Sequence, residues 1–505
     1  MEVATTMIGL AGIYAFGGAD DTNQWLERMC KVLQHRGIRK THEFSFSDGH
    51  SAVVAYHVLH GEAFIISSKT DGVLAVDGVQ RNVEGTERLI EALHPCATFA
   101  PDLVRKVSQA RGVSESLVLS VGKVGVRATR FQFSMKPLYY HWDGETLLFA
   151  SERKCLWTLG IDGVSALQPG EVCSVNPESG LQRNSLGERL PPQVDRRISR
   201  EAAIERLGIL LRASLERIRG RGAAVLFSGG VDSALAAKLA QEVCDKVVLY
   251  ATRTEDSHDK RTAKESAETL GMKLVQVDMQ PDTVWMAVPS VIWAIESSNI
   301  MDIEITLPFF LAARQAAHDG LALIVSGQGP DELFAGYARH LRLFDEKGAV
   351  PLEEQLWKEV SVTHEVNIER DERAIAFHEL EAFFPYLEPS FMGLALATPG
   401  EWKVRPDSSP SRKILFRELA QVLGLPREIA LLPKRATQYS SGSGKVLQEA
   451  ISANVRDASN LGRKKLRVLT QTVLDRLAHE MGMPVEKQTT EIEFKTEPTW
   501  PSPRR

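Results

Sequence analysis

The chain has 505 residues, 43% of them hydrophobic and 25% charged, with a formal net charge of −5; this fits a globular protein of two or three domains with ample core. The acidic balance argues against a dedicated nucleic-acid binder. No apolar run approaches the ~20 residues of a membrane helix and no charged-then-apolar leader opens the chain, so a cytoplasmic protein is expected.

Up to about residue 185, short apolar or alternating segments predict strands at Ser51–Tyr56, Ala63–Ser67, Val73–Val76, Leu117–Ser120 and Thr146–Phe149. Helical periodicity interrupts them at Asn23–Gln34 and Thr86–Leu93. Such a pattern implies stacked β-sheets flanked by helices. Cys30, Cys96, Cys155, Cys173 and Cys244 lie without CxxC spacing and read as buried small hydrophobes, not a disulfide framework or a zinc site. The polar segment Arg183–Arg197 reads as a linker. Ser199 then offers a helix cap, and strands at Ala223–Phe227, Lys246–Ala251, Lys273–Val277 and Leu321–Val325 alternate with helices, which predicts a doubly wound parallel sheet. Beyond Val350 the pattern is mainly helical. The basic run Arg463–Arg467 reads as a solvated helix face, and Lys487–Arg505 as a loose tail.

Two stretches carry chemistry. In Ser228-Gly229-Gly230-Val231-Asp232-Ser233 an apolar strand breaks into a turn with almost no side chains and then into a helix. Bare backbone N–H groups and a helix N-terminus together cradle anions, Ser233 adds a hydroxyl, and Asp232 can hold a divalent cation that phosphates also touch. This reads as a pyrophosphate cradle, and it is not a Walker A loop because no Gly-Lys-Ser/Thr follows. Ser326-Gly327-Gln328-Gly329-Pro330-Asp331-Glu332-Leu333-Phe334-Ala335-Gly336-Tyr337 repeats the arrangement after the strand Leu321–Val325. One of its carboxylates, Asp331 first, can complete a magnesium site begun by Asp232.

The first stretch resembles the PP-loop of ATP pyrophosphatases, and the pair resembles the two loops of the asparagine synthetase (glutamine-hydrolysing) and β-lactam synthetase superfamily. Further similar segments follow in order: Ser257-His258-Asp259 with Ala263, Ala267 and Leu270-Gly271; Glu372 through Glu381 with Pro385-Tyr386-Leu387 and Glu388; Lys413 and Arg417; and Pro433-Lys434 before Ser440–Gly444. In the first half, Gln34-His35-Arg36-Gly37, Lys136–Tyr140 and Phe149-Ala150-Ser151-Glu152 resemble the family's glutaminase domain. The resemblance implies an α/β chain with a degenerate class II glutamine amidotransferase-like domain at 1–185, of Ntn-hydrolase-like stacked β-sheets with flanking helices. It further implies a linker at 186–200, a doubly wound PP-loop ATP pyrophosphatase domain with a helical extension at 201–485, and a flexible tail at 486–505.

The departures from the family are specific. Met7-Ile8-Gly9-Leu10-Ala11-Gly12 stands where the family has Met-Cys-Gly-Ile-x-Gly; the alkyl group of Ile8 can neither attack an amide nor hold a thioester. Six residues precede Met7, so no free catalytic amine is expected there without processing. Asp77-Gly78-Val79 stands for Asn-Gly-Glu, replacing an oxyanion-hole amide with a carboxylate that repels the developing charge. Gln328 stands for the more common glutamate and cannot act as a general base, and Phe383 stands for an arginine that can clamp a substrate carboxylate.

What remains implies an ATP- and Mg²⁺-dependent ligase with phosphates on Ser228–Ser233 and magnesium between Asp232 and Asp331. Tyr250, Ala251, Ser326 and Gly327 join the cofactor contacts, and Asp232, Asp331, Gln328 and Lys434 are the catalytic candidates. A carboxylate, L-aspartate first, would be adenylated and passed to ammonia, either free or supplied by a separate glutaminase. The alternatives are an amide ligase joining another carboxylate to a larger amine, and a catalytically silent scaffold. Neither a nucleic-acid nor a membrane partner is expected, and the dimeric relatives imply a homodimer.

Overall fold

The computed structural model describes residues 8–16, 21–46, 49–59, 64–68, 72–77, 117–186, 191–254, 258–433, 442–486 and 492–501. The helix expected at Thr86–Leu93 lies outside these residues, as do Cys96 and Lys434. Two compact units divide the chain, one mainly of residues 1–190 and one mainly of 191–479 with 485–502. Among the described residues no helix is long and apolar enough to cross a membrane.

In the N-terminal unit the strands are β1 (Ile8–Ala15), β2 (Ile38–Ser45), β3 (Ser51–Val58), β4 (Phe64–Ser68), β5 (Gly72–Asp77), β6 (Leu117–Gly122), β7 (Gly125–Arg130), β8 (Tyr139–Trp142), β9 (Thr146–Ala150), β10 (Ser165–Ala166), β11 (Glu171–Asn176) and β12 (Gly180–Ser185). They form two six-stranded sheets, ordered β10-β8-β9-β1-β3-β2 and β12-β11-β7-β6-β5-β4, and every pairing is antiparallel. The inner faces share one core: Leu10, Tyr14, Val54 and Phe149 from the first sheet pack with Val73, Leu119, Val126 and Val175 from the second. Fully buried strands such as Leu117–Gly122 sit centrally, while β2 at an edge is largely exposed. Gly12 lies opposite Phe149 in the ladder, and a Cβ on it would stand 2.3 Å from the ring, so the glycine makes the seat for that aromatic. The helix Thr22–Val32 falls where helical periodicity predicts it, and a 3₁₀ turn at Gln34–Arg36 follows it. The segment read as a linker begins too early: Arg183–Ser185 belong to β12, where the continuous exposure of an edge strand gave it a linker's polarity.

The C-terminal unit is built on β13 (Gly222–Leu226), β14 (Lys246–Arg253), β15 (Leu274–Asp278), β16 (Leu323–Val325) and β17 (Glu381–Phe383). All neighbours are parallel, in the order β15-β14-β13-β16-β17. Successive strands run outward from β13 in one direction and then, after β15, in the other, which puts a topological switch point between β13 and β16. Ser199 caps the helix Arg200–Leu215, its hydroxyl accepting from Ala202 N at 3.1 Å. The helix Arg463–Glu480 carries the basic run; Lys464 and Lys465 are exposed as expected, but Arg467 also pairs with Glu304 at 2.8 Å. Residues 492–501, expected within a loose tail, are packed instead. Phe494 bridges to Val455 and meets the Trp285 ring edge-on at 5.5 Å, and the Trp285 indole N–H donates to Thr496 O at 3.1 Å. Aromatic burial and a satisfied indole outweigh the segment's polar composition.

Candidate functional site

β13 ends at a bare turn. Phe227 N still donates to Tyr250 O at 2.8 Å, after which Ser228, Gly229 and Gly230 lead into the helix Val231–Val243. Gly229 has φ +78°, and a Cβ there would lie 2.7 Å from Thr262 O and 2.8 Å from Ala263 N. Only glycine meets both demands. The Ser233 hydroxyl closes the turn, accepting from Ser228 N at 3.2 Å and donating to Gly230 O at 3.3 Å.

β16 ends in the same way. Ser326 N donates to Phe383 O at 2.9 Å, so Phe383, placed in the sheet core by its apolar side chain, anchors the loop through its backbone. Gly327 packs against the first loop so closely that a Cβ would lie 2.9 Å from Ser233 N. The two loops therefore face a common cavity of about 220 Å³. Ser228, Asp232 and Ser233 line it from one side; Ser326, Gly327, Gln328 and Asp331 line it from the other. Tyr250 and Ala251 line it from the second half of β14, with the Tyr250 hydroxyl donating to Asp319 at 2.8 Å. Gly229, Gly230 and Val231 shape the turn rather than line the cavity.

Asp232 and Asp331 converge on one cation. The fully buried Lys413 Nζ lies 2.6 Å from Asp232 Oδ2 and 2.8 Å from Asp331 Oδ1. Lys413 has φ +57° at the start of the helix Ile414–Val422, an uncommon conformation for a side chain of this size. Its segment is held by Ile414 N donating to Lys403 O at 3.0 Å and by Arg417 Nε donating to Arg412 O at 2.9 Å. The Tyr386 hydroxyl fixes the other partner, donating to the Asp232 carbonyl at 2.8 Å. Gly336 leaves room for the pair, because a Cβ there would stand 1.8 Å from Asp331 Oδ1 and 2.4 Å from Lys413 Cε. Sequence reasoning noted the Lys413/Arg417 spacing without placing Lys413 in the site; the spacing was the signal, and only the fold brings it to the two loops.

The far wall is a polar network. Gln328 Nε2 donates to Asp371 Oδ2 at 2.7 Å, and Asp371 Oδ1 receives Arg370 Nε at 2.9 Å. Beside it the Tyr337 hydroxyl donates to Glu332 Oε1 at 2.6 Å, with Asn367 Nδ2 at 3.3 Å from the same oxygen. Burial, with the Asp331 carboxylate next in weight, pushes the Glu332 carboxyl up to about 7.

The motif residues of the N-terminal unit also meet, in a different way. Glu152, fully buried, lies 2.8 Å from His35 Nε2, 2.6 Å from Arg36 Nη2 and 2.6 Å from Lys154 Nζ. Burial alone would raise its carboxyl; His35, Lys154 and Arg36 together outweigh burial and hold it well below the usual range. Next to it Ser151 pins β1, its hydroxyl accepting from Leu10 N at 2.9 Å and its N–H donating to Leu10 O at 2.8 Å. The backbone of Ile8 opens β1 opposite Val58, and Asp77 closes β5 opposite Leu117.

The family model described as asparagine synthase matches residues 209–348 and 344–494, more than half of the chain. A putative asparagine synthetase (glutamine-hydrolyzing) 1 from Methanocaldococcus jannaschii is 33% identical over 388 residues, 68% of this chain and 71% of that protein. Asparagine synthetase (glutamine-hydrolyzing) 3 from Arabidopsis thaliana is 27% identical over 342 residues, 63% of this chain, which spans 56% of the plant protein. Among solved structures, the NMN synthetase from Francisella tularensis overlaps 58% of this chain and 100% of its own at 14% identity and a TM-score of 0.27.

Proposed function

Because the chain belongs to the asparagine synthase family, and is thereby an asparagine synthetase-like, ATP-dependent ligase, we propose that it adenylates the side-chain carboxylate of L-aspartate and transfers the acyl group to ammonia. The observation that carries this reading is the meeting of two glycine turns, each at the C-terminal end of a parallel strand beside the switch point, on one cavity where Asp232 and Asp331 share a cation.

ATP would lie with its phosphates on the turn Ser228–Ser233, where the start of the helix Val231–Val243 favours negative charge. Two carboxylate oxygens already directed at one positive centre are a hard-oxygen donor set that suits Mg²⁺, so Asp232 and Asp331 would hold it. Among the described residues no cluster of three or more His, Cys, Asp or Glu forms a fuller metal site, consistent with an ion that takes its remaining ligands from phosphate and water. Bound there, magnesium supplies charge neutralisation at the phosphates. Lys413 adds a fixed positive charge, and Lys434, outside the described residues, would add a second. The substrate carboxylate attacks the α-phosphorus with pyrophosphate leaving; ammonia then attacks the acyl carbon, with AMP leaving and one proton released.

In this reading the N-terminal unit is the glutaminase-like domain without its chemistry. Ile8 offers no nucleophile, and Glu152, Arg36 and Lys154 are committed to a buried ion cluster. Ammonia is free or comes from a separate glutaminase, and the assembly is a homodimer, both on the strength of the family resemblance. A second reading, another carboxylate joined to a larger amine, is favoured by Phe383 standing where the family has arginine.

Pyrophosphate release with ATP, Mg²⁺ and L-aspartate, compared between ammonium and glutamine, tests both. Asparagine and AMP formed with ammonium and not with glutamine are the expected result. Turnover with glutamine alone overturns the loss of glutaminase chemistry, and no turnover with either overturns aspartate and ammonia as the substrates.

A further inference from the structure

Gln328 lines the cavity, yet its side-chain amide is not free to choose its orientation. Next to a carboxylate an amide must present its N–H₂ and not its carbonyl, and Nε2 donates to Asp371 Oδ2 at 2.7 Å. Asp371 is 1% exposed, and its other oxygen is fixed by Arg370, with Nε at 2.9 Å and Nη2 at 2.8 Å. Arg370 is itself buried and also donates to Val366 O at 3.2 Å. The ion pair thus locks one face of the amide. The carbonyl Oε1 is turned away from Asp371 and accepts no hydrogen bond among the described residues.

Resting on the ligase reading above, we infer that Gln328 Oε1 is the docking point for the nitrogen nucleophile, accepting one N–H of ammonia or of a neutral amine inside the cavity, with Asp371 and Arg370 as positioning residues that set which end of the amide faces it. A neutral carbonyl stabilises an ammonium ion less than a carboxylate would, so a nitrogen docked there gives up its proton more readily and can attack as the uncharged amine. A glutamate at this place would confront the Asp371 carboxylate directly and could not make the same contact while ionised. The bond changes are those already given: C–N forms, the acyl C–O bond to AMP breaks, and the proton goes to solvent, not to Gln328.

The test separates the two half-reactions in the full chain. ATP–pyrophosphate exchange driven by L-aspartate reads adenylation, and amide formed across an ammonium titration reads capture of nitrogen. In Gln328→Leu the KM for ammonium should rise about tenfold more than any change in exchange, as expected for one lost hydrogen bond. Gln328→Asn, which keeps an amide on a shorter stem, should recover part of that loss. Asp371→Asn, which releases the orientation, should raise the same KM about threefold. A folded Gln328→Leu whose ammonium KM stays within twofold of the parent overturns the inference, as does a loss shared equally by exchange and amide formation. Absence of exchange in the parent with aspartate and with a panel of other carboxylates overturns the ligase reading, and the inference with it.

Discussion

The two units each bury an ion cluster, and the clusters are opposite in composition. In the N-terminal unit one carboxylate, Glu152, is surrounded by Arg36, Lys154 and His35; in the C-terminal unit one ammonium, Lys413, sits between Asp232 and Asp331. The first cluster is closed, with Glu152, Arg36 and Lys154 all within a few percent of full burial, and it sits beside the Ser151 contacts that pin β1. The second lies at a cavity, with Asp232 and Asp331 side chains 17% and 15% exposed. Surplus positive charge is sealed beside the Leu10–Ser151 contacts that pin β1. Surplus carboxylate at a cavity wall leaves a place where a divalent ion can bind. On the proposed reading, the same kind of polar chemistry would give rigidity in one unit and ligand affinity in the other.

The sharpest way to break the contrast is Glu152→Gln. It leaves Arg36 and Lys154 buried without their counter-charge and should cost about 3–5 kcal/mol, read in urea unfolding followed by far-ultraviolet circular dichroism. A loss under ~1 kcal/mol would mean that the cluster does not hold its surroundings together. Lys413→Met should instead spare the N-terminal unit and lower aspartate-dependent pyrophosphate exchange roughly 100-fold. Its melting temperature should respond to Mg²⁺ more than the parent's does, because two carboxylates then lack their ammonium. An unchanged exchange rate would remove Lys413 from the site.

One pair of glycine substitutions sharpens the comparison at smaller cost. Gly12→Ala drives a methyl into the Phe149 ring and should cost about 1–3 kcal/mol of stability. Gly229→Ala strains a φ of +78° against Thr262 O, and should lower exchange at least about tenfold by shifting the loop. Equal effects of both on stability and on exchange would erase the distinction between the units.

The smallest effect is in pH dependence, and its sign differs between the two units. The folded Glu152 carboxyl is held low, so its contribution is complete above about pH 4.5 and is lost as pH falls through its lower folded value. Glu332 is held up, at about 7, so what it contributes is complete below about pH 4.5 and is lost as pH rises through 7. Hydrogen exchange read unit by unit should show the N-terminal unit loosening in acid and the residues around Glu332 loosening toward neutrality. Glu332→Gln should flatten the second slope and change stability near pH 7 by less than ~1 kcal/mol.

Much of the parallel sheet was legible because β13 and β14 are apolar runs that end at glycine turns or polar breaks. β17 was not: it is three residues long and begins with Glu381, a charge that a sequence pattern assigns to the surface. Its burial follows from Arg221, which reaches it at 2.7 Å from a distant part of the chain. The two loops were legible as bare turns after strands, and the fold brings both to one cavity. Lys413 and the lock on Gln328 were not, since they depend on side chains 181 and 43 residues away meeting in space. The Thr86–Leu93 helix and the setting of Lys434 lie outside the described residues.

The contact between Trp285 and the segment 492–501 makes that indole a built-in optical probe. Trp285 is 1% exposed, with its N–H on Thr496 O and its ring against Phe494. A version of the chain ended before residue 492 would uncover one of the largest buried side chains of the C-terminal unit, shift its fluorescence to the red and leave an apolar surface prone to self-association. Expression vectors that trim these residues as dispensable would therefore yield a stickier protein, with the change visible in its emission spectrum.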